Sequence, residues 1–223
     1  GFQMPLKHLA MQRFLKLKNV GVVVILETKL ECHSLNEIMC RRFANWKYAH
    51  NFDHHKGGRI ILLWKDDRVQ LDILEVSSQA IQCKIMGKEI WVSFVYGLHL
   101  VCTRKPLWQS LIGFENMVAG PWVIMGDFNS VLNLCDRING NPIIDYEMAD
   151  FYHCCSELSL QELKTCGSNF SWTNGKLGAK LIKFCVILYG WRIILTLMLL
   201  CLTWRLYWIT PLCFWTPILQ LFG

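Results

Sequence analysis

Two carboxylates sit where chemistry is most easily done. Glu27 closes the apolar run Gly21-Val-Val-Val-Ile-Leu26, and Asp127 closes Trp122-Val-Ile-Met-Gly126. Short runs of this kind, rich in β-branched residues, form buried strands, and ligands collect at the carboxyl ends of strands. Two carboxylates from neighbouring strands suit a hard divalent cation held through oxygen. Such a cation stabilises charge on a phosphate while a second carboxylate orients the attacking water. The plainer alternative is that each acid only solvates a strand end. It weighs more for Glu27 than for Asp127, whose neighbour Gly126 marks a backbone conformation with a purpose.

Other clusters are weaker. His54-His55 beside Asp53 reads as a solvated loop, because adjacent histidines point in different directions on most backbones. His153-Cys154-Cys155 with Cys166 lacks zinc-site spacing. The pair Arg41-Arg42 and the run Lys56 to Arg59 offer charge to DNA phosphates, but read first as ordinary surface.

The elements that must position these groups follow from periodicity. Leu6, Leu9, Ala10, Phe14 and Leu17 fall at helical spacing over residues 5–18. The strand 21–26 follows, then a helix over about 35–43 and a loop over 51–58. Strand-like runs cover 59–64, 69–74, 80–85 and 90–96. A helix begins at Pro106 and reaches about 118, the strand 122–125 leads into Gly126-Asp127-Phe128-Asn129, a helix spans 146–158, and Asn169-Phe-Ser-Trp172 reads as a strand. Mixed elements with hairpin-like runs predict an α/β sandwich rather than a doubly wound parallel sheet.

Composition sets the bounds. The chain has 223 residues, room for one domain with a full core, and a mild net charge of +6 that permits an anionic partner without demanding one. Eleven scattered cysteines with no CxxC pair predict reduced, mostly buried thiols. The start at Gly1 reads as that of a fragment. No apolar h-region follows it, so the expectation is an intracellular protein that is not secreted. All seventeen acids lie at or before Glu162. Beyond about Lys180 the chain is apolar without a clean period. A membrane span over 184–204 is disfavoured by Arg192 inside it and by the apolar run Ile193 to Leu202, about half the length a bilayer needs.

Several segments, in order, carry a family resemblance. Ile25-Leu26-Glu27-Thr28-Lys29 resembles the Leu-Glu-Thr-Lys segment of plant non-LTR (LINE-type) retrotransposon endonucleases. Pro121-Trp122 through Gly126-Asp127-Phe128-Asn129 is similar to their Pro-Trp…Gly-Asp-Phe-Asn. Gly57-Gly-Arg-Ile60 with Trp64, Val95-Tyr96-Gly97, Arg104 with Leu107-Trp108 and Leu111, and Arg137 with Glu147 and Phe151 agree in order and spacing. So do Leu160, Glu162-Leu163, Gly167 and Phe170-Ser-Trp172 with Asn174. The resemblance covers about residues 1–178 and implies the deoxyribonuclease-I-like fold, a four-layer α/β/β/α sandwich of the endonuclease/exonuclease/phosphatase type. It further implies Mg²⁺ (or Mn²⁺) as cofactor, DNA as partner, no small-molecule cofactor, and a nuclear site of action. Glu27 then resembles the metal ligand, Asp127 the group that activates water, Asn129 the donor to the transferring phosphate, and Tyr96 a phosphate contact. Arg104 and Arg137 become candidates for binding nucleic acid.

Departures from the family pattern imply a damaged, inactive copy, incomplete at both ends. The Trp-Asn strand expected before Gly1-Phe-Gln-Met-Pro is missing, and His99 replaces the Asn after Tyr-Gly-x. The Lys-Ile-Asp-Arg motif and the terminal Asp-His are absent as such. A shifted reading frame accounts for both losses. DNA encoding Leu181-Ile-Lys-Phe-Cys-Val-Ile-Leu can spell Ile-Asp-Lys-Val-Leu-Cys-Asn, and codons for Trp208-Ile-Thr-Pro211 can spell Asp-His-Ser-Pro. On this reading 1–178 is the domain and 179–223 an apolar tail that was never selected to pack. The rival expectations are a non-catalytic nucleic-acid-binding remnant and a protein attached to a membrane by its tail.

Overall fold

A computed structural model describes residues 2–55, 59–163, 171–173, 177–187 and 207–209. In chain order the elements are α1 (Pro5–Leu17), β1 (Val22–Leu26), α2 (Cys32–Arg42), β2 (Lys47–His50), β3 (Ile60–Trp64), β4 (Leu71–Val76), β5 (Ala80–Ile85) and β6 (Ile90–Tyr96). There follow α3 (Val101–Phe114), β7 (Trp122–Asp127), β8 (Arg137–Ile138), α4 (Asp145–Glu157), β9 (Gln161–Glu162), β10 (Trp172–Thr173), β11 (Gly178–Ala179), β12 (Ile182–Ile187) and β13 (Tyr207–Ile209).

Two main sheets form, ordered β13-β1-β3-β2 and β4-β5-β6-β7-β12-β9, with a small third sheet β10-β11-β8. The period-two rule sorts their side chains. Val22, Val24 and Leu26 of β1 join Val92, Phe94 and Val123 in a core between the two large sheets. Val23 and Ile25 face the other way, onto Met11 and Leu15 of α1 and Leu35 and Met39 of α2. Val95, Trp122 and Ile124 face Leu107 and Leu111 of α3 and Phe151 of α4. Helices, sheet, sheet and helices thus enclose three apolar layers, the four-layer sandwich expected from the sequence.

Some boundaries differ from the expectation for physical reasons. Helix α3 starts at Val101, a turn before Pro106, because Arg104 is drawn inward by the carbonyls of Leu98 and His99. Strand β2 goes unseen in the sequence because it is a partly exposed edge with no apolar run, fixed by antiparallel pairing with β3. The cysteines are less buried than expected. Cys32, Cys40, Cys102 and Cys135 are exposed, and all eight described ones are free thiols.

The stretch from 179 onward, set apart in the sequence reading, contributes to the sheets where it is described. β12 lies between β7 and β9, with Cys185, Val186 and Ile187 buried, and β13 runs parallel to β1. Asn169 and Phe170, and nearly all of the suggested membrane stretch, lie outside the described residues. No described helix is long and apolar enough to cross a membrane.

One buried ion pair fastens β12 to the loop that follows the Asp127 strand. Lys183, with no exposed side-chain area, places Nζ 2.6 Å from Asp136 Oδ2, and Glu162 Oε2 lies 3.6 Å away. The same Asp136 oxygen accepts the Leu132 and Asn133 amides at 2.8 and 3.0 Å. Burial alone would raise the Asp136 carboxyl. The Lys183 ammonium and the two amides outweigh it and hold the carboxyl below the ordinary carboxylate range.

A depressed folded-state pKa makes this contribution fully present above the unfolded value of about 3.9 and lost as pH falls through the folded one. Lys183→Met leaves Asp136 buried without its counter-ion and is expected to cost on the order of 3–5 kcal/mol at pH 7. Urea denaturation at pH 7 and pH 3 checks both expectations: the variant is weaker at pH 7, and the difference narrows in acid.

Candidate active site

The site forms where strands from the two facing sheets end together. β6 and β7 are parallel, and their register sets Tyr96 opposite Asp127. This close approach is possible because residue 126 is glycine. A Cβ there would lie 2.1 Å from the Val95 carbonyl oxygen and 2.4 Å from Val95 Cγ2. Beyond the strands, the Gly97 amide donates to Asp127 O at 2.7 Å. From the opposite sheet, β1 delivers Glu27.

The connecting backbone is sharply bent. Glu27, Lys29 and Asn129 adopt left-handed φ values of 51°, 53° and 46°. Asparagine tolerates this region, whereas Glu and Lys are held in it by their surroundings. The turn after β1 is anchored by the Phe2 amide, which donates to Thr28 O at 2.8 Å. Asp127 Oδ1 accepts the Asn129 amide at 2.9 Å, and Asn129 Nδ2 donates to Gly97 O at 2.6 Å. Gln79 holds the opposite lip by accepting the Leu98 amide and donating to Thr103 O.

Burial, chiefly, pushes the Asp127 carboxyl up to about 6. The Glu27 charge adds to the rise, while the Asn129 amide and Arg104 oppose it. Burial and then the charges of Glu27 and Asp127 push the Tyr96 phenol up to about 12, against Arg59 and the Asn129 side chain. These mutual effects bring Glu27, Tyr96, Asp127 and Asn129 into one electrostatic neighbourhood. The Tyr96 hydroxyl is buried without a well-formed hydrogen bond, as is Arg59 Nε, and the Arg59 guanidinium lies 5.7 Å from the Tyr96 ring centroid. His99 stands edge-on to the same ring at 6.4 Å. Buried unsatisfied donors are costly and rare, so these two mark a place for an acceptor.

Four residues singled out in the sequence are therefore gathered, and two are not. Arg104, expected at a nucleic-acid interface, is buried and holds the loop before α3. Burial lowers its pKa, while Glu147, Asp150 and Asp127 favour its charge. Arg137 is committed to Glu147, with Nη2 to Oε2 at 2.5 Å and Nη1 to Oε1 at 3.3 Å, and it holds that carboxyl below its usual range. Arg59 and Gln79 enter in their place. Arg59 was legible as part of a basic run, whereas nothing in the sequence sets Gln79 apart.

Mg²⁺ keeps several waters and takes one or two carboxylates. Glu27 and Asp127 fit that demand, with Glu27 Oε1 now 3.1 Å from Lys29 Nζ. Among the described residues no group of three or more His, Cys, Asp or Glu side chains could hold a metal. His54-His55 and Cys154-Cys155 form no such group; Cys166 lies outside the described residues.

No family model matches the chain, and no curated protein does. Solved structures do. The chain is similar to a 3′ phosphatase, NExo, from Neisseria bound to a product DNA hairpin, with a TM-score of 0.59 at 14% identity over 82% of each chain. It is similar to the 3′-5′ exonuclease NExo from Neisseria meningitidis, with a TM-score of 0.55 at 15% identity over 79% of this chain and 82% of the other. A humanized TDP2 from D. rerio gives 0.52 at 10% identity over 81% and 75%. The fold is deoxyribonuclease-I-like. Glu27 ends a strand of one sheet and Asp127 a strand of the other, close enough for the Glu27 charge to act on Asp127.

Because Asp127 is raised, its ionisation opposes folding, and stability should fall as pH rises from about 4 toward 6, opposite in sign to Asp136. Asp127→Asn keeps an acceptor for the Asn129 amide. In chelator it is expected to raise the urea midpoint at pH 7.5 and to change it little at pH 4.5; equal midpoints at pH 7.5 would remove the carboxylate strain.

Proposed function

We propose that the chain derives from the metal-dependent DNA endonuclease domain of a plant-type non-LTR retrotransposon, and that its catalytic cycle is broken. What carries the reading is the convergence of Glu27, Tyr96, Asp127 and Asn129 around the buried Tyr96 hydroxyl, which has the Asn129 side chain beside it. A phosphodiester is the substrate that such a constellation serves best, and the product DNA hairpin bound to the similar Neisseria phosphatase favours DNA. A DNA target places the work in the nucleus.

The chain's own groups supply part of a hydrolysis. Asp127, raised to about 6, is poised as a base near neutrality and orients water. Tyr96, protonated at any physiological pH, donates its O–H to a phosphate oxygen, and Arg59 adds positive charge beside it. Asn129 Nδ2 now serves the Gly97 carbonyl and would turn to the phosphate. A bound Mg²⁺ would supply positive charge to the phosphate, with Glu27 as its principal ligand.

Protonation of the leaving oxygen lacks its agent. The family pattern assigns that role to the histidine of a terminal Asp-His. The segment that takes the corresponding place, Tyr207–Ile209, lies alongside β1 in parallel register with Val23 to Ile25 and carries no histidine. A frame shift in the encoding DNA explains how apolar residues came to occupy that strand and β12.

Supercoiled plasmid incubated with the full chain in Mg²⁺ or Mn²⁺ is expected to stay supercoiled. Nicking that Asp127→Ala abolishes would show a working enzyme. The lineage is tested separately by the nucleotide sequence across codons 181–211, which should spell Ile-Asp and Asp-His in a shifted frame. Codons incompatible with those spellings remove the frame-shift account.

A further inference from the structure

At the opposite end of β1 from Glu27 lies a second concave site, built from elements the candidate active site does not use. The Lys65 amide donates to Gly21 O at 2.9 Å, just before β1 begins. The five residues of β1 therefore separate the two places by roughly 15 Å at about 3.3 Å per residue. The cavity holds about 340 Å³ between the last turns of α1 and α2 and the connection from β3 to β4. That is within the roughly 300–1,000 Å³ of small-molecule sites.

Its chemistry is one-sided. Lys16, Arg42, Lys65 and Arg68 line it together with Trp46, and no acidic side chain does. Among the described residues none of the four cations makes an ion pair. The neighbouring Asp66 is taken by Lys47 at 2.7 Å. Arg68 Nη1 donates to Asn19 O at 3.1 Å and Oδ1 at 2.5 Å, which fixes the guanidinium with neutral acceptors only. Gln12 ties α1 to α2 by donating to the Arg42 carbonyl. Lys65 Nζ lies 5.4 Å from the Trp46 ring centroid.

The helix ends explain how the cations stay together without a counter-ion. The last turns of α1 and α2 both border the cavity, and their carbonyls carry partial negative charge that favours nearby cations. That half-charge is spread over several backbone groups and leaves four full positive charges unneutralised. Two arginines offer planar forks that match phosphate oxygens, and the lysines add point charge. The indole and the apolar floor of Leu15 and Phe43 give the cavity a face for a flat ring.

We propose that this cavity is a binding site for a phosphate-bearing nucleotide, free or as a unit of a single strand, held by Lys16, Arg42 and Arg68 with Lys65 and Trp46 as its wall. The site is independent of the hydrolytic reading and survives its failure.

The test is titration calorimetry, with Trp fluorescence alongside, on the full chain carrying Arg59→Gln and in chelator, so that the candidate active site offers an anion neither a metal nor the Arg59 charge. The probes are ADP and a 5′-phosphorylated 12-nucleotide single strand. Saturable binding of either is expected, weakened at least tenfold by Arg42→Gln with Arg68→Gln and largely restored by Arg42→Lys with Arg68→Lys. Tighter binding of ADP than of the strand identifies free nucleotide as the source, and the reverse identifies nucleic acid. For the strand, the log–log salt slope should fall by about 1.4 in the double Gln variant, about 0.7 for each lost phosphate contact. If that variant does not fold by circular dichroism, Lys16→Gln, at an exposed helix position, gives the same reading. Absence of saturable binding by both probes, or affinity unchanged in a folded variant, overturns the proposal.

Discussion

The parallel contact between β6 and β7 is the constraint on which the site rests. A parallel pair at this spacing admits no side chain where Gly126 faces the Val95 carbonyl. With that gap closed, Tyr96 and Asp127 end their strands in register, and the Gly97 amide finds Asp127 O. β7 is also flanked on its other side by β12, so the strand bearing Asp127 is central rather than an edge. The whole six-stranded sheet then packs on β1 and β3, and this fixes where Glu27 meets it.

That arrangement sets the electrostatics. A carboxylate facing an apolar layer is disfavoured, and a second one across the gap disfavours it further. The fold answers with amide donors to Asp127 and with Arg104 turned inward beneath the loop. It leaves the Tyr96 hydroxyl and Arg59 Nε without acceptors.

The structure separates two poles of one sheet. At the carboxyl end of β1, acidic groups, a phenol and one arginine converge. At the amino end, four cations converge beneath two helix C-termini. The first pole carries two carboxylates beside its arginine, whereas no acidic side chain lines the second. In the facing sheet, the Lys183–Asp136 pair binds β12 to the loop after β7, which couples integrity of that sheet to placement of Asp127.

Much of the scaffold could be read directly from the chain. The apolar-rich runs at 22–26, 60–64 and 90–96 are strands buried on both faces, and 80–85, which carries Gln82 and Lys84, is held between β4 and β6. Glu27 and Asp127 were legible because each ends such a run, and Gly126 because a glycine before a strand-end acid signals close backbone approach. Tertiary structure alone decided the rest. Arg104 and Arg137 look like surface cations in sequence, yet Arg104 is buried against the Leu98 and His99 carbonyls and Arg137 is paired with Glu147, contacts that periodicity does not report. Gln79, the setting of the Tyr96 hydroxyl and the four-cation cavity depend on residues distant in the chain meeting in space. Local periodicity reports which face a residue prefers; it carries no information about which charges will share that face.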